Sequence, residues 1–272
     1  MSHQLLKGKR GIIFGALNSS SIAWHVAEKC HEAGASFVLT NAPIALRMGE
    51  INELAAKCNN AQIIPADVTS EAELENLIDQ SMEILGGKID FILHSVGMSL
   101  NVRKGKPYTD LNYDFMHKTM DISAMSFHRL MQICWKKDAV SDWGSIVGLT
   151  YIAAQRTFPD YSEMAEAKSL LESIARSFGY HYGKRNKVRV NTISQSPTMT
   201  TAGSGVSGFD AFFNYADTIS PLGNAPAEAC ADYCVALFSD LTRYVTQQNL
   251  FHDGGFSFTG VSNEVMAKFA SE

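Results

Sequence analysis

The chain of 272 residues has few cysteines, no surplus of basic residues and no long apolar run, and each absence excludes a class of protein. Its five cysteines are scattered and odd in number, which indicates reduced thiols and not a disulfide framework. The 23 basic and 28 acidic residues give a net charge of −5, which argues against a nucleic-acid binder. No apolar run reaches the ~18 residues of a membrane span, and the amino terminus lacks the apolar region of a signal peptide. We therefore expect a cytoplasmic protein with no nucleic-acid or membrane partner.

No set of cysteines and histidines is spaced like the ligands of a metal site. Cys230 and Cys234 are four residues apart on a predicted helix and could share an ion, but no second pair accompanies them at zinc-site spacing. We interpret both as small buried residues and expect no metal. His94 lies at a predicted strand end, where a structural role is the simpler interpretation.

Short apolar runs alternate with amphipathic stretches along the chain. This alternation predicts βαβ units and a doubly wound α/β Rossmann fold, a seven-stranded parallel sheet with helices on both faces. The predicted strands are 11–15, 36–40, 62–65, 89–94, 145–149, 188–193 and 249–253, and the predicted helices are 21–34, 45–58, 70–85, 111–137, 162–183 and 226–240. No linker or repeat divides the chain, so we expect one domain over 1–272, with residues 199–225 as a substrate-binding lid.

The first strand ends in a turn that suits a dinucleotide phosphate. Gly15 permits a tight turn, and Ser21 can cap the following helix and contact a phosphate through its hydroxyl. The usual G-x-G-x-x-G is absent, because only the first glycine remains. A capped turn without a ligand explains this segment equally well.

Two later strand ends agree with the same interpretation. After the third predicted strand, Asp67 can accept from an adenine amine and Val68 can pack on the ring, although Asp67 could instead be a helix cap. After the fourth strand comes Ser95-Val96-Gly97, where a small residue lets the backbone approach a nicotinamide ribose, although Gly97 could be a simple turn glycine. Three such segments at the carboxyl ends of successive strands favour a dinucleotide site.

The end of the second strand does not decide between NADH and NADPH. The segment Thr40-Asn41-Ala42-Pro43 contains no acid for an adenosine 2′-hydroxyl and no arginine for a 2′-phosphate. Arg47, on the next predicted helix, is the nearest cation.

Tyr161 and Lys168 lie seven residues apart beside a predicted helix that begins at Ser162. Two helical turns would place both side chains on one face. There the ammonium would stabilise the phenolate and lower the pKa of the tyrosine. A packing tyrosine and a solvated lysine are the alternative, and the nucleotide-binding pattern earlier in the chain favours the catalytic interpretation.

The chain resembles the short-chain dehydrogenase/reductase superfamily and, within it, the enoyl-acyl-carrier-protein reductases of bacterial type II fatty acid synthesis. Ordinary superfamily members have Tyr-x3-Lys and a turn with three glycines. This chain instead has the two patterns that distinguish the enoyl reductases, Tyr151-x9-Tyr161-x6-Lys168 and Gly15-x5-Ser21-Ile22-Ala23. Further segments match in order, among them His94-Ser-Val-Gly97 and His252-Asp-Gly-Gly-Phe256.

The resemblance implies an enzyme that uses NADH, with NADPH possible, to reduce the trans-2 double bond of enoyl thioesters on acyl carrier protein. Hydride would pass to the β-carbon, and Tyr161 would donate a hydrogen bond to the developing enolate oxygen. Lys168 would hold the nicotinamide ribose, and Tyr151 would line the acyl pocket. The resemblance also implies a homotetramer.

The expected site residues fall into three groups. The catalytic residues are Tyr151, Tyr161 and Lys168. The cofactor contacts are Gly15, Ser21, Ile22, Ala42, Asp67, Val68, Ser95, Val96, Gly97, Lys168, Thr198, Met199, Thr200, Thr201 and Ala202. The substrate contacts are Ser99, Tyr151, Met164 and Phe209, with Phe212, Phe213 and Tyr215 as further apolar walls of the lid.

Two segments depart from the pattern of the family. Gln195-Ser196-Pro197 replaces the commoner Ala-Gly-Pro before the lid, which predicts the same backbone path with a more polar wall. The lid segment 206–213 has no lysine or arginine, where many relatives place basic residues to meet the acidic carrier protein. Arg103-Lys104-Gly105-Lys106 could substitute as a docking site, and a solvated loop is the alternative.

Two other functions stay open at this point. A ketoreductase of the same superfamily would need Tyr-x3-Lys, but Met164 and Ala165 are the third and fourth residues after Tyr161. A non-catalytic dinucleotide-binding protein would not need the phenol of Tyr161.

Overall fold

The computed structural model describes residues 4–47, 49–201, 203 and 208–270, without the side chain of Asp160. Its centre is one sheet of parallel strands in the order β2-β1-β3-β4-β5-β6. The strands are β1 (Arg10–Phe14), β2 (Ser36–Thr40), β3 (Ile89–His94), β4 (Val140–Thr150), β5 (Arg189–Gln195) and β6 (Asn249–His252). Since every pair is parallel, all the carboxyl ends lie at one edge of the sheet.

The described part of the chain has six strands, and the expected strand at 62–65 is wrong. This segment forms only a bridge between Ile63 and Leu39 of β2. Ile64 donates to the Leu39 carbonyl at 3.0 Å, so the chain does run beside β2. Pro65 does not end this contact, because Ala66 beyond it donates to the Asn41 carbonyl at 3.1 Å.

Helices cover both faces of the sheet, as the alternating pattern predicted. They are α1 (Ile22–Glu32), α2 (Pro43–Leu46), α3 (Ile51–Lys57), α4 (Glu71–Leu85), α5 (Leu100–Arg103), α6 (Tyr113–Met120), α7 (Ser126–Lys136), α8 (Met164–Asn186), α9 (Phe209–Ile219), α10 (Ala227–Phe238) and α11 (Asn263–Ala267). A π-helical turn, Asp121–Met125, joins α6 to α7, so the predicted helix 111–137 is interrupted there. The predicted helix 45–58 is also divided, into α2 and α3.

Two apolar clusters fill the space between the sheet and its helices. Neighbouring strand residues point to opposite faces, so Ile13 joins the cluster with α1 and α10, while Ile12 joins the one with α4, α7 and α8. Both isoleucines are fully buried, and a buried side chain of this size contributes roughly 1.5–3 kcal/mol. Cys230 and Cys234 lie in the first cluster, in accord with their interpretation as small core residues.

Among the described residues, no helix is both long enough and apolar enough to cross a membrane.

Candidate active site

Gly15 brings the ends of β1 and β3 into close contact. Its φ is +94°, a left-handed conformation that favours glycine. A Cβ at this position would lie 1.9 Å from the carbonyl oxygen of Ser95. The structure therefore joins two of the predicted cofactor segments and shows why only glycine fits at the first turn.

Ser21 occupies the N-cap position of α1, but the expected capping hydrogen bond is absent. Its hydroxyl instead donates to the carbonyl of Asn18 at 2.7 Å and accepts from the N–H of Leu17 at 3.2 Å. The serine thus shapes the loop before the helix. Since α1 has no acidic residue in its first turn, its amino end keeps the positive partial charge that suits a phosphate. Ile22 begins the helix and packs on the apolar cluster below it.

The ends of β1 and β2 are also linked by a side chain that the sequence pattern did not single out. Asn41 donates through its amide to the carbonyl of Ala16 at 2.9 Å and accepts from the N–H of Ala42 at 2.8 Å. Ala42 is the N-cap of α2, and Arg47, exposed, is its C-cap. The loop at the predicted adenosine site is therefore held by an amide, not by a carboxylate.

Asp67 closes a local turn. Its Oδ1 accepts from both the N–H and the hydroxyl of Thr69, at 2.9 and 2.8 Å. The cap of α4 is Ser70, which accepts from Glu73, so Asp67 is not the helix cap that the sequence left as its alternative. Val68 is half-buried against the second apolar cluster.

The segment after β3 lies against the tip of Lys168. A Cβ on Gly97 would lie 3.5 Å from the Lys168 Nζ and 4.0 Å from both Met164 and Ser123. The Ser123 hydroxyl bonds both the N–H and the carbonyl of Met98, at 3.0 and 3.1 Å, and so holds this segment in place. Val96 packs on the second apolar cluster.

Lys168 is almost completely buried, with 8% of its surface exposed. Its ammonium donates to the carbonyl of Leu149 at 2.9 Å. Burial lowers the pKa of Lys168 to about 8, because a charged group loses its hydration, and the neighbouring Glu172 opposes this effect. The solvated lysine of the alternative interpretation is therefore wrong.

Glu172, one helical turn beyond Lys168, is a site residue that the sequence pattern did not indicate. Its carboxylate accepts from Thr150 at 2.9 Å, from Gln155 at 3.0 Å and from Asn249 at 3.2 Å. Burial raises the pKa of Glu172, while the hydrogen bonds from Gln155 and Thr150 oppose this effect. Glu172 therefore ties α8 to the ends of β4 and β6 and places a carboxylate one turn from the lysine. A glutamate four residues after the lysine was the only signal in the sequence.

Tyr161 does not lie on the helix that carries Lys168. It ends a short 3-10 turn, Pro159–Tyr161, and the helix begins at Met164. Between them, Ser162 has a φ of +43°, a strained conformation that costs roughly 1–3 kcal/mol. The spacing argument for a shared helix face is therefore wrong, although Tyr161 still packs against the cluster of Met164 and Ala167 on α8.

The pKa of Tyr161 also departs from expectation. Burial raises it to about 12, because the phenolate would lose its hydration. The expected lowering of this pKa by Lys168 is not found. The hydroxyl consequently stays protonated at neutral pH and is available as a hydrogen-bond donor.

Tyr151 carries a buried hydroxyl with no hydrogen-bond partner among the described residues. Its ring centroid lies 5.3 Å from that of Tyr161. Burial raises the pKa of Tyr151 well above its usual range, with Tyr161 and Asp253 adding to the effect. A buried hydroxyl without a partner costs about 1–3 kcal/mol, so a polar atom of a ligand would find a ready partner here.

Aromatic rings from three segments enclose the tyrosine pair. Phe158 lies 5.5 Å from Tyr151 and 5.1 Å from Phe212 of α9, between ring centroids. Phe256 lies 6.0 Å from Phe212 and 6.3 Å from Tyr215. The loop of Phe256 was not expected in the site. It is held by the buried carboxylate of Asp253, which accepts from the backbone of residues 255 and 257.

The other two aromatic residues of α9 face a different part of the site. Phe209 begins the helix, with its ring 6.1 Å from that of Phe213 and 3.2 Å from where a Cβ on Gly203 would stand. Phe213 lines a cavity of about 360 Å³ together with the loop before α1 and the start of the lid segment, at Ser19, Ser20, His25, Pro197, Thr198, Met199, Asn224, Ala225, Pro226, Ala227 and Glu228. Of the four aromatic residues expected as walls of the lid, Phe212 is the one whose ring lies near Tyr151, 6.2 Å between centroids, while Tyr215 is exposed.

Ser99 is buried and does not present its hydroxyl to an open pocket. The hydroxyl caps α5 at the N–H of Val102 and donates to Glu163 at 2.8 Å. Glu163 is fully buried and also accepts from Thr119 at 2.6 Å, while its Oε2 has no partner among the described residues. The neighbouring Met164 is buried and begins α8, as part of the wall near Gly97.

The predicted cofactor segment 198–202 begins at the end of β5. The Thr198 hydroxyl donates to the Ser196 carbonyl at 2.9 Å, and the Thr200 hydroxyl accepts from the N–H of Gly203 at 3.0 Å. Met199 is exposed. Thr201 accepts from Asn18 at 2.9 Å, which joins this segment to the loop before α1. Ala202 lies outside the described residues.

The unusual Gln195-Ser196 pair fastens the far end of the lid segment. Gln195 donates through its amide to the carbonyl of Ala225 at 2.9 Å, and Ser196 accepts from the N–H of the same alanine at 2.9 Å. The amide oxygen of Gln195 lies 2.7 Å from His252 Nδ1, so this nitrogen carries the proton. Gln195-Ser196 departs from the family pattern, and this departure was the sequence signal for the hydrogen bonds to Ala225.

Comparisons with known proteins agree with this geometry. A family model described as Enoyl-(Acyl carrier protein) reductase matches residues 15–257. Among curated proteins, the chain is 35% identical over 259 residues to enoyl-[acyl-carrier-protein] reductase [NADH] 2 of Rhizobium meliloti, covering 94% of each chain. It is 32% identical over 257 residues to the FabI enoyl-[acyl-carrier-protein] reductase [NADH] of Bacillus subtilis, covering 93% of this chain and 98% of the relative.

Among solved structures, the FabI–NADH complex from Alistipes finegoldii superimposes with a TM-score of 0.94. The two sequences are 63% identical, and the match covers 95% of this chain and 91% of the other.

Proposed function

This chain belongs to the enoyl-acyl-carrier-protein reductase family, and we propose that Tyr161 and Lys168 carry its reaction in the positions described above. The enzyme reduces the trans-2 double bond of enoyl-acyl-carrier-protein thioesters with NADH, in fatty acid synthesis. The observation that supports the assignment is the half-buried Tyr161, kept protonated by a pKa of about 12 and packed against Met164 and Ala167 of the helix that carries Lys168, a buried lysine with a pKa of about 8.

The residues at the strand ends fit the nicotinamide cofactor, which supplies the hydride when it is bound. The amino end of α1 would hold the pyrophosphate, since its first turn carries no acid. The absence of a side chain at Gly97 leaves the region in front of Lys168 Nζ open, and there the ribose hydroxyls would accept from the ammonium. The segment 198–201 would line the nicotinamide side.

Tyr161 would act on the thioester oxygen. As hydride reaches the β-carbon, negative charge develops on this oxygen, and a hydroxyl that donates to it stabilises the transition state more than the ground state. Its high pKa suits hydrogen-bond donation and does not favour transfer of the proton. Tyr151 would offer its unpartnered hydroxyl to a polar atom of the same substrate.

Segment 199–225 would close over the acyl chain as a lid within a single domain spanning 1–272. Its helix α9 already places Phe212 against Phe158 and Tyr151, and these rings would exclude water from the hydride-transfer step. Gln195 and Ser196 would keep the end of the lid at Ala225 fixed while its middle moves.

We also propose a cytoplasmic homotetramer. The outer faces of α7 and α8 support such assembly, since they form a groove of about 480 Å³ in which Trp135, Ile174 and Phe178 lie among the polar residues His128, Gln132, Ser173, Ser177 and His181. Sedimentation at micromolar concentration tests this assembly, and a monomer would contradict it.

A substrate comparison tests the reaction. NADH oxidation should be observed with a crotonyl thioester, and a saturated acyl thioester should accumulate. No oxidation should occur with an acetoacetyl thioester. Reduction of the β-keto substrate alone would assign the chain to the ketoreductases, and binding of NADH with neither substrate reduced would indicate a non-catalytic dinucleotide-binding protein.

A further inference from the structure

The loop Arg103–Lys106, termed the basic loop below, concentrates positive charge beside the site. Three of its four residues are cationic, and segment 99–120 around it has four basic and two acidic residues in a chain with a net charge of −5. Segment 199–225 has the opposite character, since it contains Asp210 and Asp217 and no lysine or arginine. Of these two segments, the basic loop and not the proposed lid carries the charge that would attract an acidic partner.

The basic loop is attached to the segment that carries the tyrosine. The hydroxyl of Ser162 donates to the carbonyl of Lys106 at 2.8 Å. Val102, which precedes the loop, lies in one small buried cluster with Met164, and Tyr161 packs against that cluster. The loop consequently forms part of the rim directly outside the tyrosine.

The loop is held in a defined shape. Lys106 donates its N–H to the carbonyl of Asn101 at 3.0 Å. The buried Asn101 side chain bonds the backbone of Asn112 in both directions, at 3.1 and 3.0 Å. Farther on, the Tyr108 hydroxyl donates to Glu166 of α8 at 2.6 Å. A fixed surface of this kind can recognise a partner without a large loss of conformational entropy.

Much of the positive charge of the loop is available to a partner. Arg103 and Lys104 are exposed, and Arg103 forms no ion pair with any residue that the structure describes. Lys104 lies over the ring of Phe115, 4.6 Å from its centroid. Lys106 is partly neutralised by Asp110 at 3.5 Å, an exposed pair that contributes little.

We propose that the basic loop docks an acidic face of the carrier protein that bears the enoyl chain. This inference rests on the proposed function, because only then does the substrate arrive on a protein. Opposite charges at the rim speed the encounter and fix its orientation, and salt screens them. The thioester arm of the carrier would then enter beside the wall formed by Val102 and Met164.

The test is the double variant Arg103→Glu/Lys104→Glu with two substrates. The value of kcat/KM for the carrier-bound crotonyl thioester should fall about tenfold or more. The value for crotonyl N-acetylcysteamine, which has neither protein nor phosphate, should stay within about twofold of wild type. The matched control, Lys7→Glu/Lys88→Glu, makes the same charge change near the amino ends of β1 and β3 and should leave both values unchanged.

Each other outcome contradicts the docking proposal or the reaction itself. If the double variant matches the control with the carrier-bound substrate, the loop is not the docking surface. An equal loss with N-acetylcysteamine thioester means that the loop supports the pocket, and an equal loss with crotonyl-CoA means that it recognises phosphate and not protein. If wild-type enzyme reduces neither thioester, the proposed function fails and docking is not the cause.

Discussion

The cofactor side and the acyl side of the site are built from different materials. On the cofactor side, small residues and backbone groups at the strand ends are fixed by hydrogen bonds, as Asn41 fixes the turns after β1 and β2. On the acyl side, aromatic rings from three segments surround Tyr151, whose hydroxyl has no partner among the described residues. The Asn41 amide on the cofactor side already has its hydrogen-bond partners within the protein. The Tyr151 hydroxyl on the acyl side is left for a polar atom of the substrate.

This difference separates two kinds of function within one pocket. Residues on the cofactor side should govern the binding of NADH, and residues on the acyl side should govern turnover and substrate affinity. Lys168 and Tyr161 stand at the boundary, since Gly97 and Met164 place them in one wall. Variants on each side can test whether NADH binding and turnover depend on separate residues.

The largest effect should come from Tyr161→Phe. Loss of one donor to a developing oxyanion typically lowers kcat by about 10²–10³. The affinity for NADH, measured by fluorescence titration, should stay at the wild-type value. A matching loss in Tyr151→Phe would mean that the two hydroxyls share the role, and a large loss of NADH affinity in Tyr161→Phe would break the division.

Lys168→Ala should act mainly on cofactor binding. A hydrogen bond from a charged donor contributes about 1.5–3 kcal/mol, so the Kd for NADH should rise roughly 10–100-fold. Lys168→Met keeps the apolar part of the buried side chain and serves as the control for packing. Unchanged NADH affinity in Lys168→Met would contradict a role for the ammonium.

The pH dependence should report the same ammonium. Because its pKa is lowered to about 8, the charge is present below pH 8 and is lost as the pH rises through that value. The value of kcat/KM should therefore fall above about pH 8, by up to tenfold per pH unit. The pKa of Tyr161, about 12, places its titration outside this range.

The variant Glu172→Gln tests whether the neighbouring carboxylate sets the pKa of Lys168. Since Glu172 raises the pKa of Lys168, its neutral replacement should move the alkaline limb of the profile to lower pH. An unmoved limb would mean that Glu172 acts on the structure alone.

The smallest effect should come from Phe212→Ala on the acyl side. Loss of one ring from the wall around Tyr151 should raise KM for the enoyl thioester about 5–10-fold, which corresponds to about 1–1.4 kcal/mol. NADH affinity should be unchanged. Phe213→Ala is a useful comparison, because its ring lines the cavity near Met199 and not the wall at Phe158.

The features that follow from the parallel sheet are the ones that the sequence predicted best. The carboxyl ends of parallel strands meet at one edge, so the order of strands and turns along the chain is enough to place Gly15, Ser95 and Tyr151 together. The prediction of a strand at 62–65 was wrong because this segment pairs with β2 through a single bridge between Ile63 and Leu39. Pairing of that length depends on the neighbouring strand and cannot be read from apolar runs.

The electrostatic details of the site could not be predicted, because they depend on burial. The Tyr161 pKa was expected to fall beside a cation, yet loss of hydration raises it to about 12. Ser99 was expected at the substrate, yet it is bonded to Glu163, an acid whose burial no local pattern revealed. The positive φ of the buried Ser162 likewise gave no signal, since serine has no preference for this conformation.

The most direct test of the account is a crystal structure of the enzyme with oxidised cofactor and a crotonyl thioester. In that complex the Tyr161 hydroxyl should lie about 2.6–3.2 Å from the thioester oxygen, with the Lys168 ammonium on the ribose hydroxyls. A Tyr161 side chain turned away from the thioester in that complex would contradict it.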